Sequence, residues 1–549
     1  MKKLLSILLA AMMIVTALTA CSKSDEKKET SSSETQKEES ESGEASKEEQ
    51  QEEKNYFPRE TKEELSVWIP WSANTVADIQ EVWVVQEMEN RTNVHVDYLT
   101  VGENEAQEQF GLLLASGDYP DIVQNGHYPT GVAGGLQDGV LMDVTDLVPQ
   151  YMTRYMDILN SNPDFDKMTK MDDGKRVAIY QVNCYNDERI EGENPWIGTA
   201  IRKDWLDDLG LEKPVTIEDW HTVLTAFKDN YGANMALNAQ GVNMSGDFLT
   251  AYGVLGGMYQ ENGTVHFGPA EQGYKEYLQT MKQWYEEGLI DPNFTSFSEW
   301  SDPNAKFAKD EIGAGPIIGS NAGTTLKGQG YTEDEDFYLD TVAPAVLNEG
   351  DAPQYAMDIP VFSRSVSLTT KCRNPELALR YIDLFFDPEI SEINFYGKEG
   401  ETFIKNENGE YEFTDLIRHN ENGISPSDKI AEYILKAGEY FGYYNWAYAV
   451  PLVKVDDPNA PDLNALQGTW KVNTDLCMPT NMSMTPEETA EFYSYYTDIQ
   501  TMVAEYSVKA IMGQEDLEKF DDFVASMKNV GLDRCIEIQQ SAMDRYNAR

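Results

Sequence analysis

The chain has 549 residues and carries 95 acidic against 43 basic side chains, a formal charge of -52; it is too long for a single hydrophobic core, so two lobes are expected. Acidity on this scale argues against nucleic acid or anionic lipid as a partner, because every phosphate contact would work against like-charge repulsion. With five histidines, no Cys-x-x-Cys and no Cys/His cluster, no zinc site is expected, nor any other metal or cofactor.

The first residues read as an export signal. Lys2-Lys3 precede an apolar run from Leu4 to Leu18, and small residues lead into Cys21; the run is too short and wrongly flanked to remain as a membrane span. Leu18-Thr19-Ala20-Cys21 resembles the Leu-x-Ala-Cys box of bacterial lipoprotein precursors. That resemblance implies cleavage before Cys21, a diacylglycerol on its sulfur and acylation of its amine. Two or three acyl chains hold a protein where one is marginal, since each buried methylene adds about 0.8 kcal/mol. The alternative is a soluble secreted protein with Cys21 there by chance. Residues 22–55 contain no aromatic residue and no Val, Ile or Leu, so nothing in them offsets the entropy of ordering. They read as a solvated tether spanning on the order of 30 Å. With the signal's two lysines and the tether's six lysines and twelve acids set aside, -48 remains on the body from Tyr56 onward.

In the body, Glu64–Ile69 alternates as a first strand ending at Pro70. A helix is expected from Val76 to Arg91, a strand over Val94–Leu99 and a helix over Glu105–Ala115. Ser116-Gly-Asp-Tyr-Pro-Asp121 is a turn feeding the strand Ile122-Val123. Strand, helix, strand alternation is the pattern of a parallel sheet with helices on its faces, and ligands collect at the carboxyl ends of such strands. Arg176–Tyr180 and Gly198–Ile201 are strand-like and flank a polar stretch with Asn183, Tyr185, Asn186 and Trp196. Trp205–Leu209 is a helix capped by Gly210, and Thr216-Ile-Glu-Asp219 fits a capping box opening a helix to Phe227. A helix over Tyr274–Glu287 stops at Gly288. Ile312–Ile318 reads as a strand, Val361–Thr369 as a later crossing strand, and helices dominate after Pro375. Cys184, Cys372, Cys477 and Cys535 allow three pairings, none of motif-like spacing, and buried unpaired thiols are favoured.

In order along the chain, several segments resemble the extracellular solute-binding proteins of family one, in particular the lipoprotein components of oligosaccharide-type ABC importers. They are Arg91-Thr-Asn-Val94, Ala115-Ser-Gly-Asp-Tyr-Pro-Asp-Ile122, Gly139-Val-Leu-Met-Asp-Val-Thr-Asp-Leu147 and Asp173-Gly-Lys175. Ile201-Arg-Lys-Asp-Trp-Leu-Asp-Asp-Leu-Gly-Leu211, Trp284-Tyr-Glu-Glu-Gly-Leu-Ile-Asp-Pro292, Gly397-Lys-Glu-Gly400 and Ala542-Met-Asp-Arg-Tyr546 complete the set. The resemblance implies an α/β, two-lobed periplasmic-binding-protein-like fold with hinge crossings and a ligand cleft between the lobes. The expected division is 1–20 signal, 21–55 lipidated cysteine and tether, 56–190 first lobe, 191–357 second lobe, 358–440 return to the first, and 441–549 return to the second with C-terminal helices. Some long relatives carry a calcium loop after the helix matching Thr216–Phe227; Lys228-Asp-Asn-Tyr-Gly-Ala-Asn-Met235 lacks its alternating oxygen ligands. The acidic run Glu333–Asp336 reads as a solvated face, with a cation site as the alternative.

Sugars show apolar faces ringed by hydroxyls, so their sites combine aromatic platforms with planar polar side chains. By alternation Trp68 points to the core and Trp71, past the proline, to the cleft. Asn125, His127 and Tyr128 follow a strand end, with His127 structural or ligand-facing. Trp196 precedes a crossing strand. Phe248 and Tyr252 are cleft or core, and Ser320 and Asn321 follow another strand end. Arg364 either meets ligand or pairs with a carboxylate, and Tyr443, Tyr444 and Trp446 suit a lid. Trp205, Trp220 and Trp284 read as packing residues. The function expected is capture of an oligosaccharide by a monomeric, membrane-anchored, extracytoplasmic receptor that serves ABC permease subunits, without catalysis. Alternatives are a peptide or other solute as cargo, or a cell-surface glycan-processing enzyme, although no GxSxG, HExxH or Walker loop is present.

Overall fold

The computed structural model describes residues 56–71, 76–185, 188–189, 197–237, 248–297, 303–328, 331–353, 362–407, 409, 411–419, 426–435, 441–445, 469–470, 474–479 and 482–549. Cys21, the signal, the tether, Trp196 and Trp446 lie outside them. Before Pro58, the rings of Tyr56 and Phe57 meet edge to face at 5.0 Å. The rest of the description concerns Pro58–Arg549.

Leu65, Val67 and Ile69 alternate along the first strand and are buried, and so is Trp68 on the opposite face. Burial on both faces is what a sheet covered by helices on each side requires. The strands in chain order are β1 (Glu63–Pro70), β2 (Val94–Val101), β3 (Ile122–Gln124), β4 (Ile179–Tyr185), β5 (Glu188–Arg189), β6 (Ile197–Arg202), β7 (Asn234–Met235), β8 (Met258–Glu261), β9 (Thr264–Phe267), β10 (Ile312–Ile318), β11 (Leu339–Thr341), β12 (Phe362–Leu368), β13 (Phe403–Lys405), β14 (Tyr411–Phe413) and β15 (Tyr443–Asn445). Two larger sheets form from them. One runs β15-β4-β12-β3-β1-β2 with β5 on β4, and the other runs β11-β6-β10-β7. In the first, β1 is parallel to β2 and β3, while β12 is antiparallel to both β3 and β4. β4 therefore points the same way as β1 and β3. The fold is α/β with two lobes, each organised on one of these sheets.

The expected helix over Val76–Arg91 begins only at Trp83: Asp78 caps a short 3-10 turn, Ile79–Glu81, and Val82 is extended. The strand read at Arg176–Tyr180 is Ile179–Tyr185, displaced toward the carboxyl side. Tyr443–Asn445 pairs with β4, so the chain leaves the first sheet after residue 445 and not at 441. Other local signals correspond to what forms. Thr216 Oγ1 accepts from Asp219 N at 3.1 Å, and an Asp219 carboxylate oxygen accepts from Thr216 N at 2.9 Å. The helix so opened runs Ile217–Tyr231 and ends at Gly232 in the left-handed conformation. Asn234 and Met235, in the stretch compared with a calcium loop, form β7.

The second sheet's core gathers Trp205, Trp220 and Trp284 with the helices Gln272–Glu286, Pro486–Ile511, Phe520–Val530 and Leu532–Asn547. Trp470 also enters it, its indole N–H donating to Thr199 O at 3.0 Å. The ring lies so close to β6 that a Cβ at Gly198 would sit 2.2 Å from it. Arg202 is 1% exposed and lies between the rings of Trp205 (4.3 Å) and Phe337 (4.6 Å). Its guanidinium pairs with Asp204 at 2.5 Å, Asp334 at 3.2 Å and Asp310. The acidic run 333–336 is thus in part a counter-ion for a buried arginine. Cys372 and Cys535 are buried unpaired thiols, pushed up by burial to about 12 and about 11. Side-chain burial at Cys184 is outside the description.

At the start of β3, Asp121 ties three segments. Its carboxylate accepts from Ser66 N (2.9 Å), Ser66 Oγ (2.8 Å) and Arg373 N (3.0 Å). Burial pushes this acid up, but the hydrogen bonds from Arg373 and Ser66 outweigh it and hold Asp121 below its ordinary 3.8. The unfolded chain then takes up this proton at a higher pH than the folded one. Stability from Asp121 is complete above 3.8 and is lost as pH falls through its lower folded value. In urea denaturation, the stability gap between wild type and Asp121→Asn should shrink as pH is lowered from about 5 to about 2.5; a gap that stays constant contradicts the assignment. Gly198→Ala should cost about 1–3 kcal/mol in the same assay, because the Trp470 ring must move.

Candidate functional site

The register fixes where the strands of the first sheet end. Trp68 pairs with Val123, and Val366 pairs with both Gln124 and Ile179. Ile69, Gln124, Val366 and Ile179 therefore form one row, beyond which lie Trp71, the loop 125–128 and the end of β4. This is the carboxyl edge at which an α/β sheet offers loops to a ligand.

Asn125, buried here, is held by β12. Its Nδ2 donates to Ser367 Oγ and its Oδ1 accepts from Ser365 Oγ, both at 2.7 Å. The 3-10 turn Asn125–His127 follows, closed by Tyr128 N donating to Asn125 O at 3.0 Å. The His127 ring stands edge-on to Trp68 at 6.0 Å, and burial lowers its pKa below the ordinary 6.5. At neutral pH the imidazole is uncharged, with one donor and one acceptor. Tyr128 is buried and donates to Asp138 at 2.8 Å; desolvation and that carboxylate raise its pKa far above the ordinary 10.

A cavity of about 490 Å³ opens beside this turn. One wall is Tyr128, Thr130 and Val132, with Tyr180 from β4; the opposite wall is Met482, Ser483, Met484 and Tyr493 at the start of the helix Pro486–Ile511. That helix packs in the second sheet's core through Phe492 and Ile499, so the cavity draws on both lobes. Tyr493 is 52% exposed, a ring offered to whatever enters. The two walls are tied together at one margin: Arg545 and Arg549 of the C-terminal helix grip Asp172 at 2.7 and 2.6 Å, and Arg545 also pairs with Glu488 at 2.5 Å.

Other expected site residues are placed differently. Trp71 is not open to the cleft: it is 6% exposed, and its indole N–H donates to Val76 O at 3.4 Å. Trp68 packs on Phe110 at 4.9 Å. Tyr252 donates to Thr280 Oγ1 at 2.6 Å and packs on Tyr277, while Phe248 is core between Trp220 and Trp284. Ser320 and Asn321 lie in the 3-10 turn after β10, with Asn321 buried. Arg364 is an exposed position where the β12 register shifts, and it already has an interaction partner. Tyr443 and Tyr444 are strand residues paired with Val182 and Asn183, an arrangement unlike a separate lid. Unforeseen in the sequence were Tyr493, the Met482–Met484 segment and Gln181. The alternation Gln181, Asn183 along β4 is a signal that could have found the last. A second cavity, about 550 Å³, holds Asp204, Asp207, Asp336 and Asp340 with Lys203 and Tyr338. Among the described residues no cluster of three or more His, Cys, Asp or Glu is placed to hold a metal.

Replacing Asn125 by Ala removes both side-chain hydrogen bonds and leaves two buried serine hydroxyls without it. A loss of about 1–3 kcal/mol is expected, with faster amide exchange at His127 and Tyr128; unchanged exchange there contradicts a role for Asn125 in fixing the turn.

Comparison with known proteins bears on this site. Residues 73–392 match the family model described as bacterial extracellular solute-binding protein. Over 521 residues the chain is 25% identical to the fructooligosaccharide ABC transporter substrate-binding protein FusA of Streptococcus pneumoniae, covering 90% of this chain and 92% of FusA. Lipoprotein LipO of Bacillus subtilis is 21% identical over 377 residues, 65% of this chain and 71% of LipO. The crystal structure of the alginate-binding protein AlgQ2 without calcium ion superposes with a TM-score of 0.70 at 22% identity, covering 89% of this chain and 99% of AlgQ2.

Proposed function

The chain belongs to the bacterial extracellular solute-binding protein family, and from that premise we propose that it captures an oligosaccharide and delivers it, chemically unaltered, to the permease of an ABC importer. The observation that carries this reading is the cavity with one wall from each lobe, in which the exposed Tyr493 faces Tyr128, Thr130 and Tyr180. Aromatic faces match the apolar faces of sugar rings, and hydroxyl groups match their rims. A ligand held from both sides favours the closed arrangement of the lobes, because only there does it touch both walls. The relative FusA is named for fructooligosaccharide, which supports a glycan as cargo.

The same reading places the protein at the outer face of the cell membrane, held by acyl chains on Cys21 and kept clear of the bilayer by the tether 22–55. LipO's name supports a lipoprotein. Among the described residues no helix is long and apolar enough to cross a membrane. The protein acts as a monomer with no catalytic residue, and Trp196 remains a stacking candidate on sequence grounds.

A thermal-shift and calorimetric screen over oligosaccharides tests this. Ligand at a hundred times its dissociation constant should stabilise the fold by about 2.7 kcal/mol, with the sugar recovered intact. Tyr493→Ala and Trp196→Ala should weaken binding by about tenfold each, with little loss of apo stability. Turnover of the sugar, or no stabilisation by any member, contradicts the proposal.

A further inference from the structure

Resting on the oligosaccharide reading above, we infer that the cargo is an uncharged glycan, read through its hydroxyls by side-chain amides and hydroxyls at the carboxyl edge of the first sheet, Gln181 among them. Gln181 sits on β4 two residues past Ile179, the level at which β3 ends, and is 4% exposed. Its Oε1 accepts weakly from Ser363 Oγ at 3.3 Å, and the same hydroxyl lies 3.4 Å from Asn183 Oδ1. The Gln181 amide nitrogen has no partner among the described residues. Gln124 and Ile179 both pair with Val366, which puts Gln124 on the same face as Gln181, and Gln124 Oε1 is buried without a hydrogen bond. The edge thus keeps an unspent donor and an unspent acceptor on one face. A sugar hydroxyl satisfies both kinds of group, whereas a carboxylate only accepts.

A uronate would need a cation to offset its desolvation, and the described cations near this edge are committed. Lys170, the one cation lining the 490 Å³ cavity, is paired with Asp166 at 2.5 Å, and Arg176 pairs with the same aspartate at 2.6 Å. Arg545 and Arg549 hold Asp172, and Arg364 has a partner. The four residues after Trp71, Ser-Ala-Asn-Thr, bring no cation. Burial keeps His127 neutral. The helix N-terminus at the cavity wall, another potential attraction for an anion, is closed by its own capping box: Thr485 N donates to the Glu488 carboxylate at 2.9 Å, and Thr485 Oγ1 accepts from Glu488 N at 3.2 Å. The body's charge of -48 repels an anion further. Relatives named for a fructooligosaccharide and for alginate, a polyuronate, stand on opposite sides of this choice.

Calorimetry on the full mature chain with length-matched neutral oligosaccharides (fructo-, gluco-, galacto- and manno-) and with oligogalacturonate and oligoalginate decides it. A neutral member should bind at least about a hundredfold more tightly than either uronate, with an affinity that hardly changes with salt. Gln181→Leu should weaken that neutral ligand by about tenfold while the apo melting temperature holds. Tighter binding of a uronate overturns this inference and leaves oligosaccharide capture standing. Failure of every neutral and acidic glycan to bind overturns the capture reading itself. Unchanged affinity in Gln181→Leu removes Gln181 from the hydroxyl-reading set.

Discussion

The strand Phe362–Leu368, inserted antiparallel between β3 and β4, is the constraint from which the site follows. Without it the first sheet would be a parallel β2-β1-β3 unit separate from β4, and nothing would set the loop after β3 against the end of β4. Its alternation divides the work. Val366 and Leu368 are fully buried, whereas Ser363, Ser365 and Ser367 meet amides: Gln181 and Asn183 on one side, Asn125 on the other. A late segment of the chain thereby orients groups placed some 180 to 240 residues earlier.

Polar groups buried at this edge are costly unless satisfied. Asn125 meets that condition through two serines. Gln181 meets it only in part, and Gln124 Oε1 not at all. In the hydrophobic core such deficits would be defects; at the carboxyl edge of an α/β sheet they are binding potential held in reserve for a ligand. The aromatic side of the site is supplied by the other lobe, where Tyr493 projects from a helix whose remaining rings pack inward. The ionic tie of Arg545 and Arg549 to Asp172 fixes one margin, so that relative motion of the walls is largest away from it.

Much of this was legible because the signals were local. The capping box at Thr216, the left-handed stop at Gly232, the alternation in β1 and the turn before Asp121 each depend on residues a few positions apart. What escaped depended on distant partners. Trp71 looked open because it follows a proline at a strand end, yet its indole found Val76 O and a buried niche. Arg202 lay in a motif with no visible charge partner beyond Asp204, since Asp310 and Asp334 are more than a hundred residues away. The acidic run near Asp334 looked like a solvated face for the same reason. Gln181 was hidden by a displaced strand boundary: ending the strand at Tyr180 placed it in a loop, where its alternation with Asn183 carried no meaning.

The central claim is that two lobes close on a glycan and release it unchanged. Small-angle scattering of the mature protein with and without a saturating, calorimetrically verified oligosaccharide, followed by mass spectrometry of the recovered sugar, measures it most directly. The account predicts a smaller radius of gyration in the bound state and a sugar of unaltered mass. Stoichiometric binding with identical scattering profiles, or a shortened sugar, would contradict it.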